Sequence, residues 1–128
     1  MNEITVILVI KNRPREIIEK YLLAMSKQTI DHDLILVDYG STPENIAWER
    51  ELVESYGKTF IEVKEGVEVW NFGRAHNIGY KATKTPYVVS TDGDVVFSEN
   101  TLEEVLKVLK SKEKSIVFCQ RYDMREDG

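Results

Sequence analysis

Asp92 and Asp94 flank a glycine directly after the apolar run Tyr87-Val-Val-Ser-Thr91. Two carboxylates two residues apart suit a hard divalent cation, Mg2+ or Mn2+, which takes oxygen ligands and shares its other positions with substrate phosphates. An acidic turn is the plain alternative, because Asp-Gly is among the commonest turn pairs. Asp38 stands in a similar place, after the run Leu34-Ile-Leu-Val37 and before Gly40 and Ser41. A carboxylate at a strand end can accept from a base N–H or a ribose hydroxyl, or it can cap the turn it begins. Ser41 and Thr42 are the better caps for a helix opened by Pro43, which leaves Asp38 freer for a ligand.

The segment Val69-Trp70-Asn71-Phe72-Gly73-Arg74-Ala75-His76-Asn77-Ile78-Gly79 is the densest cluster of unusual residues. Arg74, His76 and Asn77 fall in the first turns of a helix, where the dipole and a cation both favour an anion such as a diphosphate. The alternative is that His76 and Asn77 satisfy backbone groups of the loop. Lys11-Asn12-Arg13 follows the first apolar run and adds a further polar cluster. Lys107, Lys110, Lys112 and Lys114 complement the end of a late helix and read as a solvated face.

These residues need a frame that places them together. Ile4 to Ile10 is nearly continuous in β-branched residues, as a strand buried on both faces is. Pro14 opens a helix to about Lys27, with Ile17, Ile18, Tyr21, Leu22 and Met25 on one face. Leu34 to Val37 is a second strand, and the helix capped by Thr42 runs to Tyr56-Gly57. Thr59 to Val63 is a third strand, and Gly73, Ala75, Gly79 and Ala82 mark a third helix that approaches the sheet closely. Tyr87 to Thr91 is the fourth strand; Leu102, Val105, Leu106 and Leu109 mark a fourth helix; Ser115 to Gln120 is a fifth strand. Such alternation specifies a three-layer α/β/α domain with a mostly parallel sheet of about five strands and right-handed crossovers. In such sheets ligands bind beyond the carboxyl ends of the strands, where the clusters at Lys11, Asp38 and Asp92 all lie.

Composition limits the partners. The 128 residues, 42% of them hydrophobic, read as one domain with one core, residues 1–128. A formal net charge of −5 argues against a nucleic-acid surface, which needs a basic face. Cys119 stands alone in an apolar run, reads as packing, and points to a reducing compartment. The first apolar run is too short to span a bilayer and no basic leader precedes it, so the expectation is a cytoplasmic chain without a transmembrane segment, compatible with peripheral attachment to a membrane.

Read together, the opening strand ending in Asn12-Arg13-Pro14, then Gln28-Thr29, Val37-Asp38-Tyr39-Gly40-Ser41-Thr42, Arg74-Ala75-His76-Asn77-Ile78-Gly79 and Thr91-Asp92-Gly93-Asp94 resemble glycosyltransferase family 2. The resemblance covers nearly the whole chain. It implies the Rossmann-like nucleotide-binding half of the GT-A fold and an inverting glycosyltransfer from a nucleotide sugar, a UDP-sugar by the family's habit, to a saccharide acceptor. By position, Asp38 would contact the base and Lys11 to Arg13 would border the nucleotide. Gly40, Ser41, Arg74, His76, Asn77 and Asp92 would complete the donor site. Asp92 and Asp94 match the family's DxD motif, which holds Mn2+ or Mg2+, and Trp70 to Ala75 resembles a loop of polysaccharide-synthesising members. His76 stands where arginine is commoner, and a neutral imidazole is the weaker anion partner. The family's general base belongs to a later acceptor-binding half, and no residue of this chain can be assigned that role. A donor-binding remnant without transfer activity is the alternative. A receiver-like signalling domain with Asp38 as phosphoacceptor is disfavoured by Lys11-Asn12 where an acidic pair is needed. A nucleotidyltransferase is disfavoured by the absence of a glycine in Lys11 to Pro14 to cradle phosphate.

Overall fold

The computed structural model describes residues 2–112. Strand β1, Ile4–Ile10, is buried along its length except at half-buried Val9, so it must lie inside the sheet. It pairs in parallel with β2, Asp33–Tyr39, on one side and with β4, Tyr87–Thr91, on the other; β3, Thr59–Val63, pairs outside β2. The described sheet thus has four parallel strands in the order β3-β2-β1-β4. The expected fifth strand, Ser115 to Gln120 with Cys119, lies outside the described residues.

The second strand runs beyond its expected end at Val37. Asp38 and Tyr39 stay in the ladder because they pair with Glu62 and Val63 of β3. Strand alternation then sets which side each residue faces. Leu34 and Leu36 join Ile4, Val6, Leu8 and Ile10 in the larger core, against α1 (Arg15–Ser26), α2 (Pro43–Ser55) and α4 (Thr101–Ser111). Ile35, Val37 and Tyr39 face the other way, onto Ala75 and Ile78 of α3 (Phe72–Ala82). The three layers are therefore unequal, with α3 alone covering the second face of the described sheet. Asp38 shares the face of Leu36 and points into the α2 layer.

The helices begin and end close to where their sequence signals fall. In α1, Ile18, Tyr21, Leu22 and Met25 are buried at helical spacing. Thr42 caps α2, its side chain accepting from the Asn45 N–H, and Pro43 takes the first position. The start of α4 is tied down from a distance instead. Gln28 accepts from the Leu102 N–H at 3.0 Å and donates to the Ser98 carbonyl at 2.8 Å. The Thr29 N–H donates to the Glu99 carbonyl and its hydroxyl to Glu103, both at 2.8 Å. The pair Gln28-Thr29 thereby docks the end of α1 on the segment that follows Asp92-Gly93-Asp94.

Candidate functional site

Because all four strands are parallel, the loops after β1, β2, β3 and β4 emerge on one edge of the sheet. Direct contacts join them. Asn12, just past β1, adopts a left-handed backbone with φ 50°, a conformation that Asn tolerates better than most residues. That turn aims its N–H at the Ser41 hydroxyl, 2.8 Å away, and its Oδ1 at the Thr42 N–H, 2.9 Å, and the Asn45 side-chain amide, 3.1 Å. The β1 loop is thus latched to the β2 loop and to the first turn of α2.

Gly40 at the end of β2 has φ 92°, and a Cβ there would sit 2.9 Å from Val67 Cβ. Only glycine fits both the conformation and the space. The loop between β3 and α3 closes on the same point. Arg74 Nη1 donates to the carbonyls of Glu65 at 2.8 Å and Gly66 at 3.2 Å and to the Tyr39 hydroxyl at 3.0 Å, while the Tyr39 hydroxyl donates to the Gly66 carbonyl at 2.9 Å. The Arg74 guanidinium also lies over the Tyr39 ring, which Trp70 meets edge-on. Arg74, expected to offer its charge to an anion, thus also holds this loop to β2.

Asp92, Gly93 and Asp94 follow β4. Gly93 is buried, with its Cβ direction facing Ile18 Cδ1 at 3.2 Å and Ile10 Cγ2 at 3.6 Å, whereas both aspartates are exposed. The glycine seats the turn on the core and leaves the two carboxylates outside, with no hydrogen bond or ion pair to another described side chain. Behind them the Tyr21 hydroxyl of α1 is hydrogen-bonded to the Thr91 hydroxyl. Burial is the main cause that raises the Tyr21 phenol far above its usual range; the Thr91 bond lowers it, and the charge of Asp92 adds a smaller raising effect. Among the described residues no group of three or more His, Cys, Asp or Glu is gathered to hold a metal. Two uncommitted carboxylates still fit a cation that takes its remaining ligands from phosphates and water.

The other expected site residues divide. Lys11 is half-buried and Arg13 exposed, both at the rim beside Asn12. His76 is buried in the first turns of α3, its Nδ1 3.0 Å from the Phe72 carbonyl and its ring against Phe72 and Tyr80. It satisfies a backbone group, the plainer of its two readings. Asn77 is exposed. The first turn of α3 is capped by Asn71, whose Oδ1 accepts from the Arg74 N–H at 2.9 Å.

Asp38 lies inside. It is 0% exposed, its Oδ1 accepts from the Ser41 N–H at 2.9 Å, and its Oδ2 has no partner. The expectation that Ser41 and Thr42 do the capping and leave Asp38 free is corrected in part: Thr42 caps α2, but Ser41 engages Asp38. Against Asp38 sits a residue that the sequence reading passed over. Glu49 of α2 is also 0% exposed, and neither of its oxygens has a partner. Desolvation is the main cause that pushes its carboxyl up to about 9, and the neighbouring Asp38 carboxyl raises it further. The signal was present in the pattern, since Ile46, Glu49, Val53 and Tyr56 recur at the spacing of an apolar stripe with an acid in it.

A parallel α/β sheet whose first three carboxyl-end loops interlock, with two outward aspartates after the fourth strand, defines a domain of the Rossmann-like class, the class of the GT-A glycosyltransferases. The model of one family, described as glycosyl transferase family 2, matches residues 5–128, and the chain belongs to that family. Solved structures with the same fold include Staphylococcus aureus TarS residues 1–349, at 17% identity and TM-score 0.71 over 85% of this chain and 32% of that one. A second is the mannosyltransferase PcManGT from Pyrobaculum calidifontis in complex with GDP-Man and Mn2+, at 24% identity and TM-score 0.70 over 82% of this chain and 31% of that one. A third is TarS 1–349 with UDP-GlcNAc, at 19% identity and TM-score 0.69 over 85% and 31%. The chain spans about a third or less of the length of these structures. No curated protein matches it in sequence. Among the described residues no helix is long and apolar enough to cross a membrane.

Proposed function

We propose that this chain is the donor-binding part of a nucleotide-sugar-dependent glycosyltransferase that inverts the transferred sugar, with a UDP-sugar as donor and a saccharide as acceptor. The observation that carries the reading is the seating of Asp92-Gly93-Asp94, whose buried glycine turns both carboxylates outward at the sheet edge where the latched β1 and β2 loops end. Family membership and the nucleotide sugars bound by structures of the same fold support it.

In this reading Asp92 and Asp94 would hold a divalent cation, Mn2+ or Mg2+, which when bound offsets the charge of the departing nucleoside diphosphate. Lys11 and Arg13 supply positive charge at the rim, and Asn77 adds an uncommitted amide. Asn12 and Arg74 act on the walls of the site, holding the β1 and β3 loops to β2. Asp38 works from beneath the base-binding surface by fixing Ser41. Transfer also needs a base within hydrogen-bond reach of the acceptor hydroxyl, and no residue of this chain is assigned that role.

Titration calorimetry with UDP and Mn2+ tests the assignment. Wild type binds, and Asp94→Ala weakens binding roughly tenfold or more, as loss of a charged ligand to a shared cation requires. No binding by the wild type, or undiminished binding by Asp94→Ala, would refute the site.

A further inference from the structure

Three buried oxygens on β2 and α2 have no hydrogen-bond partner, Asp38 Oδ2, Glu49 Oε1 and Glu49 Oε2, and the two carboxyls lie close enough for Asp38 to act on Glu49. Both residues are completely buried, and water does not reach these atoms. Two ionised carboxylates cannot share a dry site, because each would be desolvated and would repel the other. A single proton resolves the conflict. It turns one carboxyl into a hydrogen-bond donor and leaves one negative charge, as in other close carboxyl pairs. Asp38 Oδ1 already accepts from the Ser41 N–H, which favours the anion at Asp38 and leaves the proton to Glu49.

We infer that Glu49 is a neutral acid that donates its proton to Asp38 Oδ2, and that this bond is what holds Asp38 in place to fix the Ser41 end of the candidate nucleotide site. Glu49 is thus a positioning residue. It touches no ligand and acts through Asp38, then through the Ser41 amide, while the Ser41 hydroxyl in turn accepts from the Asn12 N–H. Asp38 is the charged group that acts on Glu49. Two cations of the neighbouring helices are engaged elsewhere: Arg15 of α1 lies over Trp48, and Arg50 of α2 pairs with Glu62 of β3. The acid form is retained up to about pH 9. In the unfolded chain Glu49 ionises at the ordinary value of 4.5. The pair's contribution is therefore fully present below that value and is lost as pH rises through the folded value.

The link to the nucleotide rests on the proposed function, so the test has an arm that does not. Amide hydrogen exchange of the whole chain, corrected for intrinsic rates, reads the Ser41 N–H directly without ligand. The wild type should protect it at neutral pH and lose that protection at about pH 9 and above. Glu49→Gln keeps an N–H donor for Asp38, so it should retain the protection and lose its pH dependence. Glu49→Ala should lower the protection roughly tenfold, the scale of one hydrogen bond to a charged group. Should Glu49→Ala not fold, the comparison of wild type with Glu49→Gln across pH still decides. The infrared carbonyl stretch of a protonated carboxyl should be present in the wild type at neutral pH and weaker by one group in Glu49→Gln. Absence of that band difference, or identical pH profiles for wild type and Glu49→Gln, overturns the shared proton. In the ligand arm, UDP affinity should follow the Ser41 protection across the variants. Failure of the wild type to bind UDP would refute the proposed function while leaving the exchange and infrared results to judge the pair.

Discussion

Replacing Gly79 by alanine puts one methyl group where α3 crosses the sheet. The new Cβ would lie 2.7 Å from Ile7 Cγ2, with Ile7 Cδ1 and Val37 Cγ2 each at 3.4 Å. The closest atom is a branch methyl fixed to the Cβ of a buried residue in a central strand, so it cannot swing aside, and α3 must lift from the sheet. Overpacking of this kind costs about 1–3 kcal/mol. Alanine returns roughly 0.5–1 kcal/mol of that through its better helix propensity. The net expectation is a loss of about 1–2 kcal/mol, read as a lower urea midpoint with an unchanged slope. Gly73, in the first turn of the same helix, is the internal control. Its Cβ would meet only Asn71 Oδ1 at 3.7 Å, so Gly73→Ala should be neutral or slightly stabilising. Ile7→Ala removes the offending methyl, so Gly79→Ala should cost less in that background than in the wild type, whereas Ile7→Val keeps both γ carbons and should give no relief. Equal stability of Gly79→Ala and wild type, or equal losses at Gly79 and Gly73, would refute the close approach.

Two further outcomes follow from the loops. Asn12→Ala loses the acceptor for Thr42 and Asn45 and places alanine at φ 50°, so stability should fall by about 2 kcal/mol in chemical denaturation; Asn12→Gly should recover roughly the conformational half of that. Gln28→Ala removes a remote cap from α4 and should cost about 1 kcal/mol, with faster amide exchange at Leu102 as the local readout.

Much of the frame was legible because local signals agree with the fold. The run Ile4–Ile10 matches β1 residue for residue, and Thr59–Val63 and Tyr87–Thr91 match β3 and β4. Thr42 and Pro43 open α2 where cap and first-turn chemistry place them. The second strand was read short because Asp38 is a poor strand residue on propensity alone; its pairing with Glu62 across the sheet overrides that preference. The roles of Asn12, Arg74 and Gln28 depend on partners 30, 35 and 74 residues away in the chain, which no local pattern can reveal.

Periodicity, capping chemistry and the order of polar clusters after apolar runs by themselves determined the alternating α/β frame and the edge on which a ligand site must form, because both follow from local backbone preference and the direction of parallel strands. Family resemblance added the donor chemistry to be expected there. Only the tertiary structure decided which charged residues face outward and which serve the scaffold. Asp92 and Asp94 look outward because Gly93 packs on Ile18 and Ile10. Asp38 looks inward because strand alternation turns it toward α2, where Glu49 meets it in a dry site. A carboxylate's role is set by solvent access and by the donors around it, and both are properties of the packed chain rather than of the residue.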